Sequence, residues 1–242
     1  MNLVIDIGNS AVKMSIFQNN REIFNDKYFS FELSHIVKIK QQFPDIKHTI
    51  LSSVLKSGYE EDILKIFENT LILNETTRLP VKTEYKTPET LGKDRIAAVT
   101  GAHTLYPDRN KLVIDAGTAI TYDFIDKNGI YAGGNISPGL KMRYKALHNF
   151  TNRLPLIDYS NDIDLTGKTT REAINNGVVF GMIYEIQGYI SAYMEKYKDL
   201  TIIMTGGDAI YFEEKLKSSI FVIFNLNLLG LNRILEYNVA EE

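Results

Sequence analysis

Leu3-Val4-Ile5-Asp6-Ile7-Gly8 returns in the middle of the chain as Leu112-Val113-Ile114-Asp115-Ala116-Gly117. In each copy a run of β-favouring residues ends on an acid and then a glycine, which is the pattern of a strand entering a tight turn. The residues after each glycine also match in kind. A small hydroxyl or amide comes next (Asn9-Ser10; Thr118-Ala119), and then a second alternating segment, with Val12, Met14 and Ile16 sharing one face in the first copy and Ile120, Tyr122 and Phe124 in the second. Each copy therefore predicts a strand, a turn and a returning strand, and two copies imply two related halves. The turn-rich Pro107-Asp108-Arg109-Asn110 is the break between them, giving halves 1–108 and 109–242.

Working outward, the first half continues with a third strand near Glu22 to Tyr28, a helix near Ser34 to Gln42 and an apolar strand from His48 to Val54. In the second half a third strand is expected near Gly129 to Ala132, a helix beyond Pro138, and a long helix from Arg171 to Lys196. Its apolar positions are Ala173, Val178, Phe180, Ile183 and Ile186, interrupted by Gly177 and Gly181. A last strand, Thr201 to Met204, runs into Thr205-Gly206-Gly207-Asp208. The whole is an α/β chain.

Composition narrows the function classes. The 242 residues are 44% hydrophobic and 24% charged with a formal net charge of −3, an ordinary globular balance. Mild acidity argues against non-specific binding to nucleic acid or an anionic membrane. The absence of cysteine removes disulfides, thiolate metal sites and a cysteine nucleophile. Asp6 interrupts the N-terminal apolar run before a secretory segment can form, so a cytoplasmic location is expected. The most lipid-like stretch, Ile220 to Leu235, is broken by Asn225, Asn227, Asn232 and Arg233 and reads as core. The four histidines have no metal-ligand spacing, and no serine-histidine-acid set is evident.

The turns carry the chemistry. Asp6-Ile7-Gly8-Asn9-Ser10, followed by Ala11, Val12 and Lys13, brings a carboxylate, a glycine, a hydroxyl and a cation to one hairpin. Such a turn offers backbone N–H groups to phosphate oxygens, an acid for Mg²⁺ and an ammonium for polyphosphate charge. Taken alone it could equally be a plain turn beside a solvated lysine. Its repetition at Asp115 favours two acid-bearing turns that together clamp phosphate. Gly206-Gly207 after a strand is a third candidate nucleotide contact or a simple strand-to-helix turn.

Leu91-Gly92-Lys93-Asp94-Arg95 leads into the apolar helix Ile96 to Ala102. Asp94 could serve only as a helix N-cap. Arg95 is disfavoured there by the helix dipole, and recognition of a substrate carboxylate gives it a reason. Asp94 could then take a proton from an attacking hydroxyl. Gly133-Gly134-Asn135-Ile136-Ser137-Pro138-Gly139 reads as a loop suited to close approach of a ligand or partner.

The ordered set Asp6-x-Gly8-Asn9-Ser10-x-x-Lys13, Gly92-x-Asp94-Arg95, Asp115-x-Gly117-Thr118-Ala119-x-Thr121-x-Asp123 and Gly133-Gly134-x-Ile136-x-Pro138-Gly139 resembles the signature of the type III pantothenate kinases along nearly the whole chain. Ser10 stands where threonine is common, keeping the hydroxyl, and Lys93 fills a variable position. That resemblance implies two duplicated actin-like (ribonuclease H-like) domains, each a mixed five-stranded sheet with flanking helices, from the acetate and sugar kinase, Hsp70 and actin superfamily. It implies ATP-dependent phosphorylation of pantothenate to 4′-phosphopantothenate, the first step toward coenzyme A. Asp6 to Lys13 would cradle the ATP phosphates and Mg²⁺, and Thr118 would touch ATP, beside the nucleotide contact that Gly206 and Gly207 offer on their own pattern. Asp115 would help hold potassium or ammonium. Tyr85, Gly92, Lys93, Asp94, Arg95 and Thr170 would bind pantothenate, with Asp94 as the base. A homodimer is implied, formed through helices of the C-terminal half. The alternatives are a regulatory protein on the same scaffold, or a superfamily kinase for another small hydroxy or carboxylate substrate.

Overall fold

A computed structural model describes residues 1–53 and 58–240. In chain order these form β1 (Asn2–Ile7), β2 (Val12–Gln18), β3 (Arg21–Tyr28), α1 (Leu33–Gln42), β4 (His48–Ser53), α2 (Glu60–Ile66), β5 (Thr70–Ile72), β6 (Lys82–Thr83) and α3 (Lys93–Leu105). Then come β7 (Asn110–Ala116), β8 (Ala119–Ile125), β9 (Ile130–Pro138), α4 (Leu140–Asn149), α5 (Thr170–Lys196), β10 (Leu200–Thr205), α6 (Ala209–Glu213), β11 (Phe221–Val222) and α7 (Leu226–Val239). The strand expected from His48 to Val54 is described as far as Ser53; Val54 lies outside the described residues.

The duplication is written into the sheets. One runs β3-β2-β1-β4-β5 and the other β9-β8-β7-β10-β11, the same order element for element, with β6 added beyond β9. In both, the first strand forms an antiparallel hairpin with the second and pairs parallel with the fourth. The second sheet is thus six-stranded rather than five-stranded, because two residues, Lys82 and Thr83, lie parallel to Ile130 and Tyr131 at the start of β9. Mixed pairing of this kind needs helical crossovers between the parallel strands, and α1 supplies the first of them.

The chain divides into two compact units. One comprises Met1–Pro107, Asn128–Ala132 and Asn225–Glu242; the other comprises Asp108–Lys127 and Gly133–Phe224. In the first unit, strand alternation sends Leu3, Ile5, Ile7, Met14, Ile16 and Leu51 into a core closed by Ile36 and Ile39 of α1 and Ile63 of α2. The opposite face carries α3 and α7, which touch β4 and β1. These two helices meet backbone to backbone. A Cβ on Gly230 would stand 1.8 Å from the Ala97 carbonyl oxygen, and one on Gly101 would stand 2.3 Å from that of Leu226. Of the stretch Ile220 to Leu235, expected as core, the α7 part is buried at Leu226, Leu228, Leu231, Ile234 and Leu235, whereas Phe221 and Phe224 ahead of the helix are exposed. No helix among the described residues is long and apolar enough to cross a membrane.

In the second unit Leu112, Ile114, Ile120 and Tyr122 pack under α5. The helix starts on a reciprocal cap: the Glu172 N–H donates to Thr169 Oγ1 at 3.2 Å, and the Thr169 N–H donates to Glu172 Oε2 at 3.2 Å. Its buried stripe differs from the expected one. Ala173 is exposed and Phe180 and Ile183 only half-buried, whereas Ile174, Val178, Met182, Ile186 and Ile190 are buried. These five recur every fourth residue, a narrower seam than the expected set. The glycine-rich segment expected as a loop is largely strand, since β9 runs on to Pro138. Gly134 makes that pairing possible, because a Cβ there would lie 2.0 Å from the Tyr122 carbonyl oxygen.

Candidate active site

In the first unit the β1–β2 turn is closed by the Gly8 N–H donating to the Ala11 carbonyl at 3.1 Å. Strand register then lines up a row across three strands. Lys13 on β2 faces Asp6 on β1 in the antiparallel pair, and Asp6 faces Ser52 on β4 in the parallel pair. All three lie on the face that carries α3 and α7 rather than on the apolar face formed by Leu3, Ile5 and Leu51. Asp6 is buried, and burial pushes its carboxyl up; the ammonium of Lys13 and the nearby Ser52 hydroxyl pull it down, while the negative charge of Asp94 raises it further. Two candidate acids that lie far apart in sequence are therefore close enough to sense each other's charge.

Asp94 reaches this row because α3 begins beside the end of β4. The helix N-cap is Gly92, not Asp94, so the capping role open to Asp94 on sequence grounds is filled by another residue. Asp94 sits in the first turn, its Oδ1 accepting the Arg95 N–H at 2.9 Å. A side chain at 92 would run into it: a Cβ on Gly92 would lie 2.4 Å from Asp94 Oδ1. Lys93 donates from Nζ to the Ser53 carbonyl at 3.1 Å, which ties the start of the helix to β4. Arg95 is buried, with its guanidinium 5.5 Å from the Tyr85 ring centroid and Nη1 3.4 Å from the Tyr85 hydroxyl. Tyr85 in turn stacks on Tyr131, the planes 5° apart and the centroids 6.3 Å apart. A carboxylate, a buried guanidinium and a half-buried phenol are thus grouped at one helix N-terminus.

In the second unit the turn after β7 repeats the first, with the Gly117 N–H donating to the Ala119 carbonyl at 3.0 Å. Asp115 is half-buried at its rim, facing Thr121 in the hairpin register. Gly206 packs over it at φ +97°, a conformation open to glycine, and a Cβ there would meet Asp115 Oδ1 at 2.5 Å and the Ala116 carbonyl at 2.4 Å. Gly139 likewise closes against the Gly117 and Thr118 carbonyls. Gly207 is exposed with open space around it, and Thr118 is exposed on the turn. Asp115, Thr118 and Gly206 therefore share one neighbourhood, while Thr170 lies at the exposed first turn of α5.

Sequence reading missed the support beneath these groups. Arg143 on α4 pairs with Glu185 on α5 and donates from Nε to the Pro138 carbonyl at 2.8 Å, while the Tyr122 hydroxyl donates to Glu185 Oε1 at 2.9 Å. These residues are far apart in the chain and obey no local pattern. No cluster of three or more metal-ligating side chains occurs among the described residues.

Residues 2–192 match the type III pantothenate kinase family. The chain belongs to that family. A type III pantothenate kinase of Christiangramia forsetii is 47% identical over 246 residues, covering all of both chains. Among solved structures, a protein of Campylobacter jejuni assigned to the Baf family of transcriptional activators superposes with a TM-score of 0.64 at 24% identity, covering 98% of each chain. A glucokinase from an Antarctic psychrotroph gives 0.54 at 12% identity, again covering 98% of each. Likeness at such identities speaks for the fold, an actin-like kinase architecture, and for nothing further. As a member of a kinase family the enzyme uses ATP, and a single carboxylate such as that of Asp6 suits a Mg²⁺ ion that takes its remaining oxygens from phosphate and water.

Proposed function

We propose that this pantothenate kinase transfers the γ-phosphoryl group of ATP to the terminal hydroxyl of pantothenate, giving 4′-phosphopantothenate and ADP, with Asp94 as general base. The observation that carries the assignment is the grouping of Asp94, Arg95 and Tyr85 at the start of α3 beside Asp6. Pantothenate is a carboxylate that carries hydroxyls and an amide. Arg95 offers the fixed fork that suits a carboxylate, Tyr85 a hydroxyl and an apolar ring, and Gly92 and Lys93 the backbone that holds them. Asp94 accepts the proton as the hydroxyl attacks phosphorus.

The β1–β2 turn, residues 6–13, receives the phosphates. Backbone N–H groups of Asn9, Ser10 and Ala11 and the ammonium of Lys13 offset charge that spreads over the transferring group, in a turn that the Gly8 N–H holds closed. Asp6 would hold Mg²⁺, which supplies further neutralisation of the phosphate oxygens when bound. Asp115, tucked between Gly117 and Gly206, would help hold a monovalent cation, potassium or ammonium, its carboxylate lying where a side chain at 206 would intrude. Thr118, Gly206 and Gly207 contact the nucleotide, and Thr170 contacts pantothenate. We read residues 1–108 and 109–242 as the two duplicated halves.

The test is ADP release by the purified protein with MgATP and pantothenate, in potassium and again in sodium alone. Turnover that needs pantothenate and rises at least severalfold in potassium is the expected result. Turnover without pantothenate, or none in either salt, overturns the substrate assignment.

A homodimer through α5 is part of the same reading. Beyond its buried stripe, α5 presents Gly177, Gly181 and Gly188 with open space where a Cβ would stand, beside an exposed Tyr184. Gly181→Arg is therefore expected to leave the fold intact, within about 1 kcal/mol. It should shift the protein from dimer to monomer in sedimentation velocity.

A further inference from the structure

Ser52 closes the row Lys13–Asp6–Ser52 and is only 1% exposed. Among the described residues its buried Oγ has no partner at hydrogen-bonding geometry, although its nearness to the Asp6 carboxylate favours the ionised acid. A buried hydroxyl left unsatisfied is destabilising, so fold stability alone favours alanine at this site. Directly beyond it, the Ser53 carbonyl accepts the ammonium of Lys93, the residue before Asp94. The last two residues of β4 thus stand against both acids of the site: one beside Asp6, the other anchoring the helix turn that carries Asp94.

We infer that Ser52 is a positioning residue for phosphoryl transfer, its hydroxyl donating to the Asp6 carboxylate and fixing that carboxylate's orientation once MgATP is bound. Three geometric facts support this. Parallel register sets Ser52 beside Asp6 on the same sheet face. Lys13 occupies the other side of Asp6, so the carboxylate is flanked by a donor on each hand. Among the described residues the hydroxyl has no competing partner. A carboxylate held between two donors cannot swing away from a ligand that it must meet in one orientation, and small losses of alignment weaken such contacts strongly. Ser52 acts through Asp6 and touches no reacting atom.

The inference rests on Asp6 serving MgATP, so the test reads nucleotide binding apart from pantothenate turnover. Titration calorimetry with MgATP on the wild type, Ser52→Ala and Ser52→Cys would be combined with thermal unfolding of each. Cysteine fills the same space but is a weak donor. Both variants are expected to bind MgATP about five- to tenfold more weakly, to show a matching rise in KM for ATP with KM for pantothenate within about twofold, and to melt no lower than the wild type. Unchanged MgATP binding in Ser52→Ala overturns the inference. So does normal binding by Ser52→Cys alongside a weak Ser52→Ala, which would assign the residue a packing role. Weakened nucleotide binding in both variants of a protein that fails to phosphorylate pantothenate would sustain Ser52 and sink only the substrate assignment.

Discussion

Asp94→Asn is expected to lower kcat by about 10²–10⁴-fold, the usual contribution of a general base, while MgATP continues to bind near its wild-type affinity. Geometry separates the two effects. Gly92 is the N-cap of α3, so the substitution removes no cap, and an asparagine oxygen can still accept the Arg95 N–H. Loss of the negative charge in the first helical turn costs about 0.3–1 kcal/mol through the helix dipole. The same loss removes a neighbour that raises the Asp6 carboxyl, so Asp6 becomes easier to ionise rather than harder. Nucleotide binding is therefore preserved and proton abstraction is lost. Single-turnover kinetics with calorimetric MgATP titration checks this, and intact turnover in the variant would remove Asp94 as the base.

Gly230→Ala should be the most damaging single methyl group in the first unit. At 1.8 Å from the Ala97 carbonyl oxygen and 2.8 Å from the Gly101 nitrogen, the new Cβ meets helix backbone, which has no rotamer to yield. The two helices must separate, at a cost of about 3 kcal/mol, or roughly 6–12 °C in Tm for a domain of this size. Because α3 carries Asp94 and Arg95 at its N-terminus, the displacement also reaches the site. A fall in kcat/KM larger than the unfolded fraction explains is expected. Thermal denaturation and steady-state kinetics on the same preparation test it. A variant with unchanged Tm would show that the crossing is looser than the helix separation implies.

Much of the candidate site's local structure was legible because its residues cluster in short, local patterns. Asp6 to Lys13 and Asp115 to Thr118 lie on hairpins whose turn and strand signals sit within a dozen residues, so their chemistry and their structure are read from the same letters. Gly92 to Arg95 was legible for the same reason, as a helix start. Family resemblance added the proposed roles of Tyr85 and Thr170, which no local pattern assigns. The expected stripe of α5 failed because apolar side chains on a long helix outnumber those it buries. Phe180 and Ile183 satisfy hydropathy yet lie at the flank of the seam that packing selects.

By itself the sequence determined the duplication, the two acid-bearing turns and a helix whose first turn holds Asp94, since each depends on φ/ψ preference and side-chain period over a few residues. It could not determine that Ser52 stands beside Asp6, that Lys93 reaches the Ser53 carbonyl, or that α7 returns from the end of the chain to press Gly230 against Ala97. Those relations depend on which strands pair and how closely two helices cross. Pairing and crossing are decided by burial summed over the whole core, a quantity that no window of sequence contains.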